Sequence, residues 1–185
     1  MDFKVVKQER LYNGKVFNLI VDQIEYASGN RAIREVAEHP GGAVVLAMFP
    51  DERIILVKQF RYPLGKFLYE LPAGKLSPNE DPAICAGREL AEETGYRAGL
   101  VKRLTAIYTS PGFCTEQLHI FLATDLSRTS EGQNLEEGEQ SLTVEIVSLS
   151  RAIEMIERED IVDGKTICGI FLGERFLRSG NPLSS

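Results

Sequence analysis

Two kinds of hydrophobic spacing divide this chain. Residues 3–38 alternate apolar with polar positions and carry two turn signals, Tyr12-Asn13-Gly14 and Ala27-Ser28-Gly29-Asn30. A period of two turns one face of a strand inward and leaves the other in water. We therefore expect strands near 4–10, 15–25 and 31–38, joined as an antiparallel β-meander. This segment is polar for a core of its own, so it is expected to pack on something else. A hinge at His39-Pro40-Gly41-Gly42 opens a denser region. Two β-rich runs, 42–49 and 53–60, flank the turn Pro50-Asp51-Glu52, and short strands follow near 66–71, 100–109, 117–124 and 142–148.

Three segments read as helices. Asp81-Pro82 is an N-cap followed by proline at the first helical position, and that helix is expected to end at Gly95. A second is expected from Ser150 to about Glu159. A third covers about Asp163 to Arg178, with Ile167, Ile170, Phe171 and Leu177 on one side. Strands outnumber helices and are mostly consecutive, which predicts an α/β (α+β) protein with a mixed sheet flanked by helices. The division expected is a β-rich segment over 1–40 and a main domain over 41–185. The polar, acidic stretch 127–141 reads as a solvated loop.

Composition narrows the class. A chain of 185 residues with 43% hydrophobic and 26% charged residues has the make-up of an ordinary globular protein. It contains no apolar run near the ~20 residues that span a bilayer. The N-terminal MDFKVVKQER has no apolar signal region, so a cytoplasmic location is expected. Cys85, Cys114 and Cys168 are far apart with no CxxC pair, and are expected to be buried small side chains in a reducing compartment. A net charge of −6 argues against a nucleic-acid surface, which needs basic groups. It leaves room for one nucleotide held through a metal, because a divalent ion inverts the local field.

The first helix carries the chemistry. Glu89 and Glu93 are four residues apart and share a face, with Glu92 beside them. Arg88 and Glu92 are also four apart and can pair. Carboxylates crowded at this spacing repel one another, and a hard divalent cation reverses the penalty. Alone, Glu-Leu-Ala-Glu-Glu reads as a solvated acidic face. The longer spacing changes that: Gly74, five residues, Glu80, seven residues, Arg88-Glu89-Leu90, one residue, Glu92-Glu93, one residue, Gly95 and the bulky Tyr96.

This pattern is the Nudix box, so the chain resembles Nudix hydrolases; only Tyr96 departs, where an aliphatic residue is usual. The resemblance implies an α/β/α sandwich in which the box forms a loop–helix–loop. It implies that Glu89, Glu92 and Glu93, with the Ala73 carbonyl, ligate Mg²⁺ (Mn²⁺ being the alternative), and that Arg88 orients a carboxylate. Glu80 is expected to stabilise the loop.

Pro111, sixteen residues beyond Gly95 in Ser110-Pro111-Gly112-Phe113-Cys114-Thr115-Glu116, looks like the ADP-ribose pyrophosphatase subgroup. The stretches Val57-Lys58-Gln59-Phe60-Arg61 and Leu68-Tyr69-Glu70-Leu71-Pro72-Ala73-Gly74 resemble it too. The likeness implies that Arg61 reaches substrate phosphates and Glu116 the ribose or base. It implies a catalytic glutamate in the loop before the strand at 142–148, for which Glu139 and Glu137 are the candidates, Glu139 also as a metal ligand. It further implies a homodimer exchanging its N-terminal strands, with Phe17 and Arg34 stacking adenine. The reaction expected is hydrolysis of ADP-ribose to AMP and ribose 5-phosphate. One rival is a hydrolase of GDP-mannose or another nucleotide sugar, which residues 152–156 and 163–166 also resemble. The other is a non-catalytic nucleotide-binding regulatory module. Neither nucleic acid nor membrane is an expected partner.

Overall fold

The alternating N-terminal segments pair as an antiparallel sheet in the order β1 (Phe3–Asn13), β2 (Asn18–Tyr26), β3 (Arg31–Glu38). The computed structural model describes residues 2–180. In it the chain divides into two units, one up to Gly41 together with Tyr108–Gln117, the other Gly42–Ile107 with the residues from Leu118 onward. In the first unit, β1 runs against β2 from Phe3↔Tyr26 to Asn13↔Asn18, and β2 against β3 from Asn18↔Glu38 to Glu25↔Arg31. The second strand starts three residues later than its pattern suggests, because Gly14 N–H bonds the Asn18 side chain and keeps the intervening residues in the turn. Ile20 and Ile24 are buried, whereas Phe3, Val5, Leu11, Tyr12, Phe17 and Ile33 stay exposed. This sheet is as poor in core as its polarity implied.

The second unit contains β4 (Gly42–Ala47), β5 (Arg53–Arg61), β6 (Lys66–Glu70), β7 (Ala73–Lys75), α1 (Pro82–Thr94), most of β8 (Tyr96–Tyr108) and β9 (Gln117–Arg128), β10 (Thr143–Ser148), α2 (Leu149–Glu157) and α3 (Gly164–Arg178). One sheet has the order β7-β4-β9-β8 and is mixed, β4 pairing parallel to β9 and antiparallel to β7. The other, β10-β5-β6, is antiparallel.

Strand β4 shows why the layers form. All six of its residues are buried, the signature of a strand covered on both faces. Val44 and Leu46, with Met48 just beyond, meet Leu56, Leu71, Ile120 and Leu122, and then Leu149, Ala152 and Met155 of α2 and Ile170 of α3. The alternate residues Ala43, Val45 and Ala47 meet Ile55, Phe121 and Ala123, and then Cys85, Ala86 and Leu90 of α1. Period two therefore sorts one strand between two helical layers, which is the α/β/α sandwich expected. Alanines at 43, 47, 86 and 123 line part of the α1 side, and the helix's carboxylates come close to the sheet at Ala73 and Gly74 of β7. Helix α3 also comes close, since a Cβ at Gly173 would fall 2.2 Å from Leu46 Cδ2.

Several expectations need correction. The strand expected from residue 100 begins at Tyr96, and the one expected to end at 124 continues to Arg128. Tyr96 is buried and Ala98 half-buried in the α1-side core, while β9 ends on Asp125, Leu126, Ser127 and Arg128, of which Leu126 packs on that core. The three-residue β7 is too short to show any period. Of the cysteines only Cys85 is buried; Cys114 is half-buried and Cys168 exposed. Among the described residues no helix is long and apolar enough to cross a membrane.

Leu46 has no exposed surface and touches both α3 and the sheet. We expect Leu46→Ala to lower unfolding free energy by about 2–5 kcal/mol in urea titration with an unchanged m-value. A loss under 1 kcal/mol would contradict the packing described.

Candidate active site

Helix α1 starts where Asp81 accepts the Ala83 N–H at 2.7 Å, with Pro82 at the first position, and stops at Gly95 in the left-handed conformation (φ 71°). Its inward face carries Cys85, Ala86 and Leu90, and also two carboxylates. Glu89 retains 9% of its surface and Glu93 only 2%.

These carboxylates are packed against the loop before the helix. Glu93 Oε2 accepts the Ala73 N–H at 3.0 Å. A Cβ at residue 74 would lie 1.9–2.3 Å from the Glu89 carboxyl atoms, so only glycine admits that side chain. Arg88 collects the remaining acids: Nε and Nη2 donate to Glu80 at 2.9 and 3.0 Å, and Nη1 to Glu89 at 2.7 Å and Glu92 at 2.9 Å. The expected Arg88–Glu92 pair is thus one arm of a three-carboxylate hub. Glu80, which also accepts the Ser77 N–H, is tied to the loop, and its pKa is held down at about 2, chiefly by the Arg88 hydrogen bonds.

Charge in this site is unbalanced. Burial pushes the Glu93 carboxyl up to about 8; the Ala73 N–H opposes this, and the charges of Glu89 and Glu139 add to it. Burial likewise raises Glu89 despite its bond to Arg88. Two buried carboxylates short of positive charge, beside a third on Glu92 and the backbone at Ala73, form an all-oxygen donor set suited to a hard divalent cation. Among the described residues no three acidic, histidine or cysteine side chains converge tightly enough to hold an ion unaided.

The acidic loop is anchored on the end of α1. Thr129 N–H donates to Gly95 O at 2.8 Å, Asn134 N–H to Glu92 O at 2.9 Å, and Gln133 Nε2 to Glu93 O at 2.6 Å. They satisfy carbonyls that a helix end leaves open. The loop then forms one turn of 3₁₀-helix (Glu137–Glu139) closed by a reciprocal bond pair between Glu136 and Glu139. Glu139 is half-buried and its charge acts on both Glu89 and Glu93, while Glu137 is exposed. Sequence reasoning missed Gln133 and Asn134. The signal for them was a helix end needing donors and a polar loop rich in amides.

A second polar group lies at the end of β6. Arg61 Nε and Nη2 donate to the two oxygens of Glu70 at 2.6 and 2.5 Å. Glu70 is 1% exposed and also pairs with Lys165 of α3. Burial pushes the Glu70 carboxyl up, but Arg61 and Lys165 outweigh it and the group ends below its ordinary value. Lys165 also donates to Asp163 at 2.9 Å. Glu70 and Lys165 were not anticipated, although a glutamate in an otherwise apolar strand end requires a buried partner.

Four further candidates belong to the first unit. Pro111 lies in an exposed turn in which Phe113 and Cys114 N–H donate to Ser110 O. Glu116 accepts the Thr109 hydroxyl at 2.8 Å and lies 3.4 Å from His39 Nδ1. Arg34 donates to Tyr26 Oη at 2.5 Å, and the exposed Phe17 ring sits 6.0 Å from that of Tyr12.

Geometry and ancestry agree on the class. The NUDIX domain model matches residues 38–168, so the chain belongs to the Nudix family. It is 42% identical over 170 residues to an ADP-ribose pyrophosphatase of Bacillus subtilis, covering 92% of this chain and 91% of that protein. It is 38% identical over 167 residues to a methanol dehydrogenase activator of Bacillus methanolicus, covering 90% of each. A GDP-mannose pyrophosphatase of Salmonella typhimurium is 37% identical over 145 residues, 72% of this chain and 73% of that one. The crystal structure of an ADP compounds hydrolase superposes with a TM-score of 0.83 over 97% of this chain and 96% of that one at 20% identity, which speaks for the fold.

The unbalanced charge gives a pH prediction. Glu93 has a folded pKa of about 8 against an ordinary 4.5, so unfolding of the metal-free protein releases its proton between those values. In EDTA the wild type should therefore lose stability relative to Glu93→Gln as pH rises from 4.5 to 8, by on the order of a few kcal/mol, and level off above. Melting curves of both proteins across this range test it, and a pH-independent difference would contradict the assignment.

Proposed function

We propose that this chain hydrolyses the pyrophosphate bond of a nucleoside diphosphate linked to a sugar, with ADP-ribose giving AMP and ribose 5-phosphate. The observation that carries this is the packing of Glu89 and Glu93 against Ala73 and Gly74, with Arg88 holding Glu80, Glu89 and Glu92. The name of the 42% identical pyrophosphatase supports the substrate class.

Glu89, Glu92, Glu93 and the Ala73 carbonyl would hold Mg²⁺, with Mn²⁺ as the alternative. When bound, the metal supplies an acidified water and neutralises charge on the phosphates. The chain does the rest. Arg88 keeps the carboxylates from splaying apart, and Glu80 balances it from the loop. Glu139, which faces Glu89 and Glu93 electrostatically, is the group we assign to accept the proton of the attacking water. Arg61 draws in the phosphates. Glu116 engages the ribose or base and Pro111 shapes that turn. We further read residues 1–40 as the segment through which two cytoplasmic copies form a homodimer, with Phe17 and Arg34 contributed to adenine across it.

A second reading keeps the reaction and changes the sugar nucleotide, because the GDP-mannose pyrophosphatase is also 37% identical. A panel of ADP-ribose, GDP-mannose, ADP-glucose and UDP-glucose separates the two by kcat/KM. We expect ADP-ribose to lead, and turnover at least tenfold slower than for another sugar nucleotide would transfer the assignment to that substrate.

Residue roles follow the same assay. Glu93→Gln and Glu139→Gln should each lower kcat by about 10²–10⁴-fold, while Glu137→Gln stays within a few-fold. Full activity in Glu93→Gln would remove it from the ligand set, and an absence of metal-dependent turnover in the wild type would favour a non-catalytic nucleotide-binding module. A larger loss in Glu137→Gln than in Glu139→Gln would reverse the two loop roles.

A further inference from the structure

We propose that Glu70 and Lys165 are positioning residues for Arg61: the buried carboxylate aims the guanidinium at the substrate's phosphates, and Lys165 fixes that carboxylate to the first turn of α3. This rests on the reading of Arg61 as the diphosphate contact.

Register makes the anchor necessary. Arg61 is the last residue of β5, opposite Lys66, while Glu70 lies opposite Val57. Residues 57, 59 and 61 share one face of the strand, so Arg61 meets Glu70 only by folding its side chain back along the sheet. A long cation at a strand end otherwise points to water. Here Nε and Nη2 take both oxygens of Glu70, spending two of the guanidinium's five donors and leaving three. The Arg61 side chain keeps 38% of its surface, so the remaining donors have an open side. The charges of Asp163 and Glu93 also act on Arg61, which sets it in the field of the proposed metal site.

Lys165 is in the wrong place for helix chemistry. The first turn of a helix disfavours cations, yet Lys165 follows directly on Gly164 at the start of α3 and is 12% exposed. Its partners explain it. Lys165 pairs with Glu70 and donates to Asp163, the N-cap of α3, whose Oδ2 also accepts the Thr166 N–H and hydroxyl. The Thr166 hydroxyl oxygen in turn accepts the Leu71 N–H at 2.8 Å. One helical turn therefore grips two consecutive residues of the segment that leads, at Ala73, to Glu93.

A merely structural buried pair would change stability and leave substrate affinity alone. The test is binding of ADP-ribose in EDTA by titration calorimetry, with adenosine as the phosphate-free control, and KM and kcat with metal. Arg61→Ala, Glu70→Gln, Lys165→Met and the Arg61→Ala/Glu70→Gln double variant are compared with wild type, and melting curves report folding. We expect Arg61→Ala and Glu70→Gln each to weaken ADP-ribose about tenfold, and the double variant to be no weaker than Arg61→Ala. Lys165→Met should weaken it to a smaller extent, with adenosine unaffected and KM moving more than kcat. Wild-type affinity in Arg61→Ala overturns the phosphate role of Arg61, and failure of the wild type to turn over ADP-ribose with metal present overturns the substrate reading; the proposal falls with either. A weakened Arg61→Ala beside an unchanged Glu70→Gln, or additive losses in the double variant, overturns positioning alone. If Glu70→Gln does not fold, wild-type affinity in Lys165→Met does the same.

Discussion

Burying two carboxylates on one face of a helix is a constraint that the rest of the second unit accommodates. Glu89 and Glu93 are turned toward the sheet, where water cannot solvate them, and their neighbours follow from that placement. Gly74 lacks a side chain because Glu89 occupies the space. The Ala73 N–H points at Glu93. Arg88 is drawn into a hub because an acidic cluster next to a low-dielectric wall needs a fixed cation. What the protein alone does not supply is full compensation, and this is why both carboxyls stay above their ordinary range. A cation shared with a phosphate ligand completes that balance, so metal and substrate would enter an electrostatic deficit created by the fold.

The same logic appears with opposite outcome at Glu70. Burial there is at least as complete, but Arg61 and Lys165 overcompensate it and the carboxyl stays ionised. One acid is kept hungry for a cation and the other is saturated. The difference lies in which elements converge: α1 brings Glu93 mainly other carboxylates, whereas β5 and α3 bring Glu70 two cations. Two glutamates near opposite ends of a short segment, 70–74, thus acquire different roles through their surroundings.

The loop after β9 shows how a helix end orders a segment distant in sequence. Once α1 terminates at Gly95, its last carbonyls need donors, and Thr129, Gln133 and Asn134 provide them. Satisfying backbone groups at the end of α1 also carries Glu139 into the field of Glu89 and Glu93. A stretch that composition alone marks as solvated is held at its base by three hydrogen bonds, and only the part beyond Asn134 is left to its own 3₁₀ turn.

Much of this was legible from the chain itself. Local chemistry marks the ends of α1, since Asp81-Pro82 and Gly95 act within a few residues of their own backbone. Period two marks the strands, and the spacing from Gly74 to Tyr96 identifies the box, because a helix places residues four apart on one face whatever surrounds it. The strand ends at Tyr96 and Arg128 were not legible, because pairing across the sheet sustains them. Nor were Glu70 and Lys165, ninety-five residues apart, or the capture of α1's end by Gln133. Sequence by itself determined the helix, its carboxylates and the family. Only tertiary structure decided which carboxylates lack a counter-charge and which are neutralised, because burial and pairing depend on elements that meet across the fold rather than along the chain.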